Sequence, residues 1–164
     1  MIGLLWSFAT IMAEPELDPE SFERSPLSFY AVNVGYKDNE GVSSQNYDFF
    51  ELRKGGEESL SLDGYALFYI NSSGTRTEIP IPEKSTMAGE SLVFGYAKSP
   101  QFKDADERYL YSLGSAGLAS TSATLQLFYE EELIDELCWG TATCANNVGK
   151  FTTTEEQNYS YVKE

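Results

Sequence analysis

The chain has 164 residues, with Lys+Arg 11 against Asp+Glu 26, a formal net charge of −15 and no histidine. That length suits one domain and a tail, and the missing histidine excludes Ser-His-Asp and Cys-His catalysis, the HExxH zinc motif and every imidazole metal site. The acidic balance excludes a sequence-independent grip on nucleic acid or on an anionic membrane surface, while 41% hydrophobic and 14% aromatic residues exclude a disordered acidic tail.

Residues 1–13, MIGLLWSFATIMA, carry no charged side chain. The run is shorter than the roughly 20 residues of a transmembrane helix but matches the apolar core of a secretory signal, with Ala13 before the cleavage point. Because no Lys or Arg precedes it, the signal would be a truncated one; a buried first strand or helix is the other reading. Residues 14–26, EPELDPESFERSP, combine three prolines with a run of acids and read as a linker.

From residue 27 to 164 the texture changes to short apolar runs separated by turn signals. The runs are LSFYAVNV (27–34), DFFEL (48–52), YALFYI (65–70), TEIPIP (77–82), SLVFGY (91–96), ATLQLFY (123–129), LIDELCW (133–139) and NYSYV (158–162). Most are rich in Val, Ile, Leu, Phe and Tyr and have strand length, and none sustains a helical stripe over three turns. Seven to eight short strands at this spacing predict an all-β sandwich or barrel. Alternation places Phe50 with Leu52, Tyr65 with Leu67, Leu92 with Phe94 and Leu125 with Leu127 on inward faces. Asn71 to Gly74 reads as a hairpin turn, with Gly74 free to take positive φ, and Met87 to Glu90 as a second turn. Lys98 to Ala119 lacks strand patterning and reads as a long connection that crosses between sheets or carries a binding loop.

The order of DFFEL (48–52), LSLDGYALFY (60–69), IPIPEKSTMAGESLVFG (79–95) and ATLQLFYEEELIDELCWG (123–140) resembles the lamin tail domain family. The resemblance rests on Asp48, Phe50, Glu51 and Leu52, on Leu62, Gly64, Tyr65 and Leu67, and on Pro80, Pro82, Gly89, Leu92 and Val93. It closes with Leu125, Leu127, Ile134, Asp135 and Gly140, and spans roughly residues 29–162. It implies an immunoglobulin-like β-sandwich without catalytic activity, of the kind that bacteria place on exported and surface proteins. Two positions depart from the pattern. Tyr65 stands where the family carries Trp, and Glu130-Glu131-Glu132 replaces an Asp/Asn-Gly turn, leaving the turn type open because nothing there takes positive φ easily.

Cys138 and Cys144 bracket CWGTATC. In an exported chain they read as one disulfide contributing about 2 kcal/mol; in a cytosolic chain they would be two buried thiols. Asp48 and Glu51 read as acids on a solvated outer face or at a capped strand end. Glu130, Glu131, Glu132, Asp135 and Glu136 concentrate charge at one hairpin. This reads first as a solvated tip that discourages strand pairing, and second as a Ca²⁺ site of Glu130, Glu131, Glu132 and Asp135, although no D-x-D-x-D-G loop is present. Asp104, Asp106, Glu107 and Arg108 form a second candidate surface, and Tyr109 and Tyr111 after them read either as two rings presented on one side or as buried core. Asn71 and Asn158 begin N-x-S triplets too common to carry weight.

The expected protein is therefore extracellular or at the cell surface, monomeric and without a cofactor or transmembrane helix. It would act as a non-catalytic module that binds a protein or glycan surface through its tyrosines, of which there are 11. The alternatives are a glycan or metal-dependent hydrolase working through paired carboxylates, and a structural spacer.

Overall fold

The computed structural model describes residues 26–34, 48–81, 86–95, 107–110, 117–149 and 161–162, with side chains left aside for 86, 107–110 and 161–162. The signal-like run, the linker before Pro26, Asp104, Asp106, Tyr111 and Asn158 lie outside these residues. Among the described residues eleven strands run in chain order: β1 (Leu27–Asn33), β2 (Phe49–Lys54), β3 (Leu60–Ser61), β4 (Tyr65–Ile70), β5 (Arg76–Ile79), β6 (Thr86–Met87), β7 (Ser91–Gly95), β8 (Glu107–Leu110), β9 (Ala123–Tyr129), β10 (Glu132–Trp139) and β11 (Tyr161–Val162). They form a five-stranded sheet ordered β11-β1-β2-β7-β8, a four-stranded sheet ordered β10-β9-β4-β5, and a small β3-β6 pair. The fold is an all-β sandwich. No helix among the described residues is long and apolar enough to cross a membrane.

Each of the eight apolar runs contains a strand, and three strands were not anticipated. β3 and β6 have two residues each, too few to show alternation. β8 corrects the expectation of a strandless connection: Glu107–Leu110 lies parallel to β7 in the five-stranded sheet. Its sequence ERYL is half charged, which hides it from a search for apolar runs. Met87 belongs to β6 rather than to the turn that follows. β5 ends at Ile79, short of the expected 82, because Pro80 has no N–H for a ladder.

The core lies where the two sheets face each other. Phe29, Phe50, Leu52, Leu92 and Phe94 from the five-stranded sheet meet Leu67, Leu125, Leu127, Leu137 and Trp139 from the four-stranded one. Tyr65 and Ile134 pack against its margin. Phe50 stacks on Phe94 at 4.9 Å, and Phe29 meets Phe50 edge-on at 6.2 Å. Such pairs add about 0.5–1.5 kcal/mol beyond their burial.

Two hairpins shape the four-stranded sheet. Between β4 and β5 the expected Asn71 turn forms. The Asn71 carboxamide oxygen accepts hydrogen bonds from Ser73 N (3.0 Å), Thr75 N (2.9 Å) and Ser73 Oγ (2.7 Å), and Gly74 takes φ +81°. Between β9 and β10 the turn is the two-residue Glu130-Glu131, with φ 47° and 73°. Positive φ at both positions is the type I′ pattern that normally calls for Asn-Gly, because it matches the twist of the flanking strands. Each glutamate holds a left-handed conformation at a cost of about 1–2 kcal/mol. The double substitution Glu130→Asn, Glu131→Gly is therefore expected to stabilise the domain by about 1–2 kcal/mol, read as a higher urea midpoint at unchanged slope.

Candidate interaction face

The acids of the family-like motifs are committed to holding the sandwich together. Asp48 is 2% exposed, and its Oδ2 accepts a hydrogen bond from Leu118 N at 3.0 Å. This corrects the solvated reading of Asp48: a carboxylate so buried needs hydrogen-bond donors. Beside it, Ala119 N donates to Tyr69 Oη at 2.8 Å, and Trp139 Nε1 donates to Ala119 O at 2.7 Å. Three side chains, from β4, β10 and the residue before β2, thus grip the backbone of residues 118–119. Glu51, 4% exposed, is likewise not solvated. Arg53 Nε donates to its Oε1 at 2.7 Å, and the Arg53 guanidinium lies 3.4 Å over the Tyr30 ring. Burial opposes the Arg53 charge, but the hydrogen bond and negative charge of Glu51 outweigh it and hold the guanidinium pKa above its ordinary value.

Burial pushes the Tyr69 phenol above its ordinary value near 10, and the negative charge of Asp48 adds to the rise, against the opposing effect of the Ala119 hydrogen bond. Between the ordinary and the raised value, unfolded chains have released this proton while folded chains keep it. The stabilising contribution is therefore complete below pH 10 and is lost as pH rises through the folded-state value. Urea unfolding at pH 8 and near pH 11 should show part of the alkaline loss of stability abolished by Tyr69→Phe. At pH 8 the same change should cost about 1 kcal/mol, since the Ala119 N–H loses its acceptor.

Asp135 joins the two sheets. Its Oδ2 accepts from Phe29 N of β1 at 2.7 Å and its Oδ1 from Glu136 N at 2.9 Å. The contact sits where both strands bulge: the pairing register shifts between Phe29 and Ala31 in β1, and between Leu133 and Asp135 in β10. A bulge turns a backbone N–H out of its ladder, and the carboxylate receives it. Glu130, Glu131 and Glu132 instead stand exposed at the tip. Among the described residues no three His, Cys, Asp or Glu side chains gather where they could hold a metal ion.

Gly64, at φ +84°, lies where an added Cβ would sit 3.1 Å from Tyr129 Cε2. Cys138 and Cys144 form a disulfide. The chain beyond β10 returns alongside it: Cys138 N donates to Asn146 O (3.1 Å), Val148 N to Cys138 O (2.9 Å) and Gly140 N to Gly149 O (2.8 Å). Glu107, Arg108 and Tyr109 fall on β8, which adds an edge to the five-stranded sheet.

The feature that sequence reasoning passed over is the outward side of the four-stranded sheet. With Leu67, Tyr69, Leu125 and Leu127 facing the core, alternation turns Ala66, Phe68 and Ile70 of β4 and Gln126 and Phe128 of β9 outward. Phe68 and Phe128 meet edge to face at 5.5 Å, and the Arg76 guanidinium of β5 lies 3.6 Å over Phe68 and 5.1 Å from the Phe128 centroid. Leu133, paired with Phe128, is 41% exposed, whereas Tyr129 lies on the Leu127 side of β9 and meets Tyr65 at 4.9 Å. Beside this apolar centre stand Glu78, opposite Phe68, and Glu136, whose Oε1 accepts from Gln126 Nε2 at 2.8 Å. The signal was present in the sequence. YALFYI and ATLQLFY place Phe68, Ile70 and Phe128 where a strand facing water alone would carry polar side chains.

A scan against protein-family models finds no match for this chain, and a search of curated proteins finds no relative.

Proposed function

We propose that this chain is a non-catalytic binding module of the lamin-tail type, exported or displayed at a cell surface. The observation that carries the reading is the aromatic and arginine-bearing outer face of the four-stranded sheet. Aromatic side chains and Arg are the residues enriched at the centres of protein interfaces, and a sheet face with only water to meet has no need of them. The motif acids support the same reading. Asp48, Glu51 and Asp135 are each engaged by backbone or arginine donors, as structural carboxylates are. The Cys138–Cys144 bridge fits an oxidising compartment, and the signal-like residues 1–13 fit the route to it.

The test is twofold. Immobilised protein presented with native surface extract should retain a partner saturably, and the soluble protein should turn over nothing in a panel of glycosides and phosphoesters. Turnover that disappears with Glu51→Gln would overturn the proposal in favour of a hydrolase.

A further inference from the structure

We infer that the chain pairs with a second copy of itself along the open edge of β5, as a two-fold dimer in which Arg76 of each copy faces Glu78 of the other. This goes beyond the binding-module reading and does not depend on it. β5 is the last strand in the order β10-β9-β4-β5, and Arg76, Thr77 and Glu78 are all exposed. Its ladder with β4 is regular, from Ile70 opposite Arg76 to Leu67 opposite Ile79. At the hairpin Asn71 N donates to Thr75 O at 3.1 Å. Bonding alternates from that pair onward, so Thr77 and Ile79 turn their N–H and C=O toward β4, while those of Arg76 and Glu78 point away from the sheet. The opposite edge is protected: β10 bulges between Leu133 and Asp135, and beyond the bulge Cys138 is bonded by Asn146 and Val148.

The groups on this edge are their own complement. In an antiparallel pair, residues that point at the partner strand exchange both N–H···O=C bonds. Setting Thr77 opposite the partner's Thr77 matches Arg76 with the partner's Glu78 on both sides of the axis. Every outward N–H and C=O of Arg76 and Glu78 is then satisfied, and opposite charges face each other, which favours pairing where like charges oppose it. The neighbouring registers fail. One sets Arg76 against Arg76; the other sets Glu78 against Glu78 and Arg76 against Pro80, which has no N–H. Both charges are available, since among the described residues neither Arg76 nor Glu78 has an ion pair or side-chain hydrogen bond. The Arg76 guanidinium lies 3.6 Å over the Phe68 ring, a contact that leaves its N–H donors for a carboxylate. Pro80 ends the edge, so two copies close on each other and no third strand is recruited. The net charge of −15 opposes association at long range, so the dimer is weak, and it is best measured at about 0.15 M salt, where distant charges are screened.

Sedimentation velocity of the full chain at concentrations up to about 1 mM, with backbone hydrogen exchange alongside, reads the association. Dimer should accumulate with concentration, and exchange at the Arg76 and Glu78 amides should slow with it. Arg76→Glu and Glu78→Arg should each weaken self-association at least about tenfold, because each sets like charges opposite at both pairs. An equimolar mixture of the two variants should dimerise again, since every facing pair is then one Arg and one Glu. Both variants remain strongly acidic, so general attraction would not produce that recovery. A chain carrying both reversals should dimerise like the native one, which separates lost pairing from lost folding. A chain that stays monomeric throughout, a dimer indifferent to the reversals, or a mixture that fails to recover would overturn the inference. Protection of the same amides in the monomer by a protein from native surface extract would hand the edge to a foreign strand and overturn it equally.

Discussion

Gly140→Ala is expected to cost about 3–5 kcal/mol, enough to lower the melting temperature by about 10 °C or more. Gly140 has φ +69°, a left-handed conformation in which an L side chain costs about 1–2 kcal/mol. The larger effect is steric. An added Cβ would stand 1.8 Å from Thr121 O, 2.8 Å from Thr121 C and 2.9 Å from Ser122 Cα. All three are backbone atoms, so no rotamer change relieves the overlap and residues 121–122 must retreat. The neighbouring backbone is held by Asp48 through Leu118 N, by Tyr69 through Ala119 N and by Trp139 through Ala119 O, while Thr141 Oγ1 bonds Ser122 Oγ at 3.2 Å. Moving it breaks several of these together. Denaturant unfolding followed by tryptophan fluorescence measures the loss, because Trp139 sits next to Gly140 and is fully buried. A cost under about 1 kcal/mol would mean that the two backbones are not in contact.

The second large effect is expected at Asp135. Asp135→Ala should destabilise the sandwich by about 2–3 kcal/mol, and Asp135→Asn by about 1 kcal/mol. Alanine removes the acceptor of Phe29 N and leaves a backbone N–H at a fully buried residue without its partner. Asparagine keeps one carbonyl oxygen for that N–H but gives up the charge that strengthens the bond. The order of the two variants is the diagnostic result. If Asn and Ala cost the same, the 2.7 Å contact between β1 and β10 is not what holds Asp135 in place. Equilibrium urea unfolding of the three proteins at one pH supplies the comparison.

Much of the sandwich could be read from the chain because its central strands are strongly apolar. YALFYI and ATLQLFY coincide with β4 and β9 at both ends, each bounded by a change to small or polar residues. β8 could not be read this way, since ERYL takes its place from pairing with Leu92–Gly95 rather than from its own pattern. The motif acids show a different limit. Asp48 and Glu51 look like surface residues in sequence, yet the donor that settles Asp48 is Leu118 N, 70 positions away. Asp135 stood out as part of a dense acidic group, but its partner Phe29 is 106 positions distant. Tertiary hydrogen bonds of this kind leave no periodic trace. At the hairpin tip the reverse holds: composition argued against positive φ, and the twist of β9 and β10 imposed it on Glu130 and Glu131. The outer aromatic face needed no tertiary knowledge. It was legible as apolar residues at both parities of β4 and β9.

The tie between Phe29 and Asp135 also governs when the molecule can finish folding. β1 lies between β2 and β11, so of its three partners only β2 is near it in sequence. A nascent polypeptide stopped before residue 135 offers β1 with a bare edge and a bulge whose N–H has nothing to meet. Such long-range closure is slow compared with helical folding, on the millisecond-to-second scale typical of all-β domains. Closure around β1 therefore waits until both Asp135 and β11 have been synthesised.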